Sequence, residues 1–212
     1  MEINDQKEHF QENQSEHTEK WRGDDNKALT DIAREFRDFK IEDRLEKMRG
    51  LPSKFETREE FERDWAKKSS CPIPTGLEGF TDERATEAAN ISIEKPYIVP
   101  HVNMHERLHQ ASDLGFKSEQ PRALKEGLTE ALTEKITGTK YLDEKANPQF
   151  YPEATILAEG LLAKAGPGAV EKLYVRNDAS ELKKALGGDA QYEAMLNEFK
   201  KLNKLQENRG LS

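Results

Sequence analysis

The chain carries a single cysteine, Cys71, in 212 residues. That excludes an internal disulfide framework and makes folding independent of oxidation. No apolar run approaches the roughly 18 residues read as a membrane-spanning helix, and Met1 to Gln14 contain no apolar stretch of the kind at the centre of a secretory signal. Basic residues are outnumbered, 33 against 41 acidic, for a net charge of −8. They form no cluster of the sort that a nucleic-acid surface needs. Hydrophobic residues make up 34% and charged residues 35% of the chain, so part of it is expected outside the core, as tails or exposed helices. These absences point to a protein made in the cytoplasm, with no membrane span and no nucleic-acid partner. The length suits one domain with appendages.

Residues 1–26 hold little that is apolar beyond Ile3, Phe10 and Trp21 and are expected to form a disordered polar tail. Residues 27–69 read as a helical N-terminal arm. Leu29, Ile32, Ala33, Phe36 and Phe39 recur at helical spacing and predict a helix of about 20 residues that stops near Gly50-Leu51-Pro52. Thr57-Arg58-Glu59-Glu60 is a capping box and starts a second helix. Packing around the remainder is the simplest role for this arm; a propeptide or a partner-binding arm is the alternative. Residues 70–187 are expected to form the functional domain. It starts with Pro- and Gly-containing loops and short strands near Leu77–Thr81 and at Asn90–Ile93. Residues 188–212 end the chain as a helix with Tyr192, Met195, Leu196, Phe199 and Leu202 on one face, followed by a short tail.

The chemistry concentrates at His105-Glu106-Arg107-Leu108-His109. This H-E-x-x-H pattern puts two imidazoles on one helical face, close enough to share a zinc ion, with a glutamate beside them to take a proton from an attacking water. Pro100 suits the first turn of a helix, which should run from about Val99 to Ala111. His101 shares the histidine face, but lies about 12 Å along the axis from His109 at 1.5 Å per residue, so the two cannot share one tetrahedral ion. The pair His105/His109 brackets an acid–base glutamate and the pair His101/His105 does not, so His101 reads as a rim or solvent residue. A third ligand must come from elsewhere. Arg122 to Glu134 form a helical pattern whose apolar stripe, continued one turn on, is Leu124, Leu128, Leu132 and Ile136, ended by Thr137-Gly138. Its glutamates 126, 130 and 134 either form a solvated stripe, or Glu126 completes a zinc site while Glu130 hydrogen-bonds the outer nitrogen of a liganding histidine. Cys71 is weighed as a thiolate that could block such a site, against an ordinary thiol.

The run H-E-R-L-H followed 17 residues later by Glu126-Gly127-Leu128-Thr129-Glu130 resembles the gluzincins, metallopeptidases with a glutamate third ligand. It is most similar to the minimal gluzincins and to metallopeptidase domains of bacterial toxins. In their N-E-x-x-S-D pattern this chain has Lys125 for Asn, Thr129 for Ser and Glu130 for Asp. The resemblance spans about residues 90–187. It implies a predominantly helical α+β, zincin-like fold: a small sheet before the HExxH helix, the glutamate helix beside it, and helical extensions at both ends. It implies zinc held by His105, His109 and Glu126, with Glu106 as general base, Glu130 supporting a histidine, and a protein or peptide substrate. It further implies a bacterial effector or toxin protease, delivered to another cell without a cleaved signal and attended by an immunity, chaperone or secretion partner. No histidine follows His109, so a tyrosine is expected to stabilise the oxyanion: Tyr151, at the start of the next helix, ahead of Tyr141 and Tyr97. That next helix should bury Ile156, Leu157, Leu161 and Leu162. The competing class is a non-catalytic, acidic helical interaction protein in which the motif is fortuitous or structural.

Overall fold

The computed structural model describes residues 20–73, 77–81, 87–114, 120–140 and 152–208. These form helix α1 (20–35), a 3-10 turn (Arg37–Phe39), α2 (Glu42–Arg49), β1 (Lys54–Glu56), α3 (Arg58–Lys68), β2 (Gly79–Phe80) and β3 (Asn90–Ser92). Then follow α4 (Val99–Ala111), α5 (Arg122–Thr137), α6 (Pro152–Ala165), α7 (Pro167–Arg176), α8 (Ser180–Leu186) and α9 (Asp189–Asn208). The chain is α+β and predominantly helical, and the described residues form a three-stranded sheet in the order β1-β3-β2. No helix among the described residues is long and apolar enough to cross a membrane.

The N-terminal third differs from its expected shape in three ways. Helix α1 begins at residue 20, inside the segment expected to be a tail, because Trp21 is buried against Ala89, Ile91 and Val99. The single long helix is two, α1 and α2, broken where Lys40 adopts φ 50°. No Gly or Pro marks that break. It is held by tertiary contacts instead: the Arg176 guanidinium donates to the Phe39 and Lys40 carbonyls, while Phe36 and Ile41 enter the core on either side. Finally, the arm contributes a strand. β1 pairs in parallel with β3, Phe55 opposite Ile91, so residues 27–69 and 70–187 share a sheet. The capping box is present as expected: Glu60 accepts from the Thr57 N–H at 3.0 Å at the head of α3.

One core runs from Ala28 on α1 to Phe199 on α9 and includes Met104, Leu108, Leu124, Leu128, Leu132 and Tyr174. Helix α4 crosses its middle, matching the expected Val99–Ala111, and is closed at its C-terminal end by other elements. Arg44 of α2 donates to the Ala111 carbonyl and pairs with Asp113 at 2.6 Å, placing a cation where the helix dipole favours one. Helix α5 lacks an N-cap side chain of its own. Asn203 of α9 supplies the acceptor, taking the Ala123 N–H at 2.6 Å; the C-terminal helix therefore helps to set the glutamate helix.

Helix α6 departs from expectation in its first half: Leu161 is buried and Leu162 packs against the core as expected, but Ile156 and Leu157 do not. Ile156 is 64% exposed and Leu157 also lies at the surface, while Ala154, Thr155 and Ala158 face inward with Leu161. The reason is the tightness of the α5–α6 crossing. A Cβ on Gly127 would sit 2.4 Å from the Ala154 carbonyl oxygen and 2.7 Å from its carbon, so only small residues fit. Gly127→Ala is accordingly expected to destabilise by roughly 1–3 kcal/mol through overpacking. This should exceed the ~1 kcal/mol that alanine gains in helix propensity, and would read as a lower urea midpoint at unchanged slope. A midpoint equal to or above that of the parent would overturn the packing argument.

Candidate metal centre

Three ligand-type atoms converge between α4 and α5. His105 Nε2 and His109 Nε2 are 3.0 Å apart, and Glu126 Oε2 lies 3.2 Å from His109 Nε2 and 3.7 Å from His105 Nε2. Tetrahedral zinc with ligands at 2.0–2.1 Å would separate them by about 3.3–3.4 Å, and the three observed edges bracket that value. Among the described residues, His105, His109 and Glu126 are the one group of three or more His, Cys, Asp or Glu that could hold a metal ion.

The outer nitrogens of both rings are occupied. His105 Nδ1 lies 2.8 Å from Glu130 Oε2. His109 Nδ1 lies 3.3 Å from Thr129 Oγ1. The Thr129 hydroxyl has one proton, directed to the Lys125 carbonyl at 2.9 Å. It therefore accepts from His109 Nδ1–H and from the Tyr174 hydroxyl, 2.7 Å away. With Nδ1 of both rings partnered in this way, each Nε2 is directed at the shared point, where it could meet a metal ion. Adjacent α5 residues, 129 and 130, perform this for two histidines a turn apart.

The electrostatics also favour a cation at the shared point. Burial opposes charge on His105, but hydrogen bonds to Glu126 and Glu130 outweigh it and hold the ring well above the ordinary imidazole range. Burial likewise opposes charge on Glu126, yet His109 and His105 hold it well below the usual carboxylate range. The positive charge that stabilises these carboxylates as a proton on imidazole is the charge that a divalent ion would supply. The donor set of two imidazoles and one carboxylate suits zinc.

Glu106 is buried on α4 next to the pair, outside the ligand group. Burial raises its carboxyl and the two histidines partly offset this. Strand β2 closes over it: a Cβ on Gly79 would stand 2.9 Å from Glu106 Oε1 and 2.6 Å from Val102 Cγ1. The backbone of an edge strand can approach Glu106 only because residue 79 is glycine.

The other expectations divide. Of the glutamates on α5, 126 and 130 are partly buried and 134 is buried, so the solvated stripe is replaced by an inward-facing one. His101 is not a rim residue. It is 7% exposed, and its Nε2 lies 2.8 Å from Glu130 Oε1; axial separation excluded it as a ligand of the same ion as His109 but did not exclude contact with the far oxygen of Glu130. Tyr151 and Tyr141 lie outside the described residues. Tyr97 is 70% exposed. Cys71 is exposed and lies outside the ligand group. Sequence reasoning missed Tyr174, the buried phenol that reaches His109 through Thr129. A tyrosine beside Leu173 and Val175 looks like core, and only the α4–α5–α7 packing sets its hydroxyl against α5. Comparison with protein-family models, with curated proteins and with solved structures returned no match.

Proposed function

We propose that the protein is a zinc-dependent metallopeptidase of the gluzincin kind. The observation that carries this reading is the convergence of His105 Nε2, His109 Nε2 and Glu126 Oε2 while the outer nitrogens are held by Glu130 and Thr129. Bound zinc would act as a Lewis acid, polarising the scissile carbonyl and lowering the pKa of the attacking water to about 7. Glu106 accepts the proton of that water and delivers it to the leaving amine. Glu130 and Thr129 keep the two imidazoles oriented through the cycle. Among the described residues strand β2 is an edge of the sheet, and its backbone passes against Glu106; an extended peptide adding to that edge would bring its amide groups past the base. A zincin-like arrangement of sheet, HExxH helix and glutamate helix accords with this order of parts. The likeness of the HERLH and Glu126–Glu130 segments to toxin metallopeptidase domains favours an effector or toxin as the biological setting, with a protein substrate.

Metal analysis tests the reading directly. The purified protein is expected to hold about one zinc per chain. Glu126→Ala should weaken zinc binding by more than about 100-fold, beyond what loss of an outer partner costs, whereas Glu181→Ala, on the exposed side of α8, should leave it unchanged. A metal-free parent protein after zinc supplementation, or equal affinities for the two variants, would end the proposal.

A further inference from the structure

His101 stands outside the ligand set and inside the centre. It precedes His105 by one helical turn on the same face of α4. Its Nε2 lies 2.8 Å from Glu130 Oε1, and the second oxygen of that carboxylate lies 2.8 Å from His105 Nδ1. One carboxylate thus spans two rings. A glutamate has three rotatable bonds and a broad terminal torsion. Anchored at a single oxygen, its carboxylate can pivot about the contact; anchored at both, it has one orientation in which the two hydrogen bonds survive. The backbone of α5 fixes where Glu130 starts, not where its oxygens end.

We propose that His101 is a positioning residue for the metal centre, clamping Glu130 so that its other oxygen holds His105 Nδ1–H and keeps His105 Nε2 on the metal. The inference rests on the zinc reading of the cluster and extends it by a side chain that binds no metal. The path is His101 Nε2–H to Glu130 Oε1, then Glu130 Oε2 to His105 Nδ1–H, then His105 Nε2 to the ion. Lone outer-partner carboxylates have this role elsewhere, and their removal typically weakens metal binding by about 10–100-fold. Loss of the clamp leaves the carboxylate present but unsteady, so the effect belongs at the lower end of that range.

Zinc dissociation constants, measured by chelator competition on the full chain, test it. His101→Ala is expected to weaken zinc binding about tenfold. His101→Gln, whose amide N–H reaches a position close to that of Nε2, should restore most of the loss, whereas His101→Leu, which fills space without donating, should not. The cycle with Glu130→Ala is the sharper measurement: if His101 acts through Glu130, His101→Ala should add nothing once Glu130 is gone. Parent-like affinity in His101→Ala overturns the inference. So does equal weakening by Gln and Leu, or additive losses in the cycle, since each would make His101 a packing residue. A parent protein that binds no zinc overturns the inference together with the reading beneath it, whereas stoichiometric zinc in the parent with unchanged affinity in His101→Ala removes the inference alone.

Discussion

Glu106→Gln is expected to lower peptide hydrolysis by about 10²–10⁴-fold, the usual worth of a positioned general base, with zinc content unchanged. Gln has nearly the shape of Glu and fits beneath Gly79, where the backbone of β2 leaves no spare room. It cannot accept the proton of an attacking water. Because Glu106 is outside the ligand group, the change should fall on the rate and not on the metal. The measurement is unbiased mapping of the peptides released from a mixed substrate pool, parent against variant, with zinc assayed in the same samples. Equal cleavage by both proteins would mean that Glu106 is not the base or that the activity is foreign. Loss of zinc along with activity would mean that Glu106 supports the ion rather than the reaction.

Burial makes Glu106 suitable for this role. A carboxylate in water would be a weak base at neutral pH; out of water, its carboxyl is raised, and the neighbouring histidines restrain the rise. The surrounding fold is arranged to keep it there. Helix α4 offers a different surface to each neighbour: Met104, Leu108 and Ala111 to the core, His101, His105 and His109 to α5, Glu106 and Val102 to β2, and Arg107 with Gln110 to a buried polar network.

Legibility in the sequence followed the range of the interactions. Helices α4 and α5 were readable residue by residue because their signals are local: Pro100 in a first turn, leucines at helical spacing, Gly138 at φ 69° closing α5. The capping box at Thr57 was readable for the same reason. The α1–α2 break was not, since it is fixed by Arg176, 136 residues away from Lys40. Strand β1, Lys54–Glu56, has charged residues on either side of Phe55 and exists because β3 offers it an edge. In the first half of α6 hydrophobicity favours Ile156 and Leu157 as buried, whereas the close approach of α5 at Gly127 brings the small residue Ala154 inward instead. In the candidate centre, the meeting of His105, His109, Glu126 and Glu130 follows from spacing and resemblance. His101 and Tyr174 reach the histidine pair through a second side chain, and such contacts leave no spacing of their own.

The start of helix α1, inside the segment expected to be a tail, carries the second large effect. Asp25→Ala is expected to destabilise by about 3–5 kcal/mol, the cost of leaving a buried charge without its partner. Arg107, the third residue of the motif, is fully buried. Its Nε and Nη2 donate to the two oxygens of Asp25 at 2.7 and 2.6 Å, and its Nη1 donates to Gln110 Oε1 at 2.7 Å. Asp25 also accepts from the Ser53 hydroxyl and N–H at 3.0 and 3.2 Å. Burial alone would raise its carboxyl, but Arg107 and Ser53 together hold it below the usual range. The linkage sign follows: this contribution is complete above the unfolded-state value near 3.8 and is lost as pH falls through the lower folded value. Against total stabilities of about 5–15 kcal/mol, such a loss endangers the fold, so removing the segment that holds Asp25 is expected to weaken the folded unit. A chain lacking residues 1–26 should unfold more readily rather than gain activity. Replacing both partners, Asp25→Leu with Arg107→Met, should cost less than either single change, because no charge is then stranded. Urea denaturation of the two single variants and the double variant provides the check. Single losses under about 1 kcal/mol, the range of a surface ion pair, would show that the pair does not tie α1 to the motif helix.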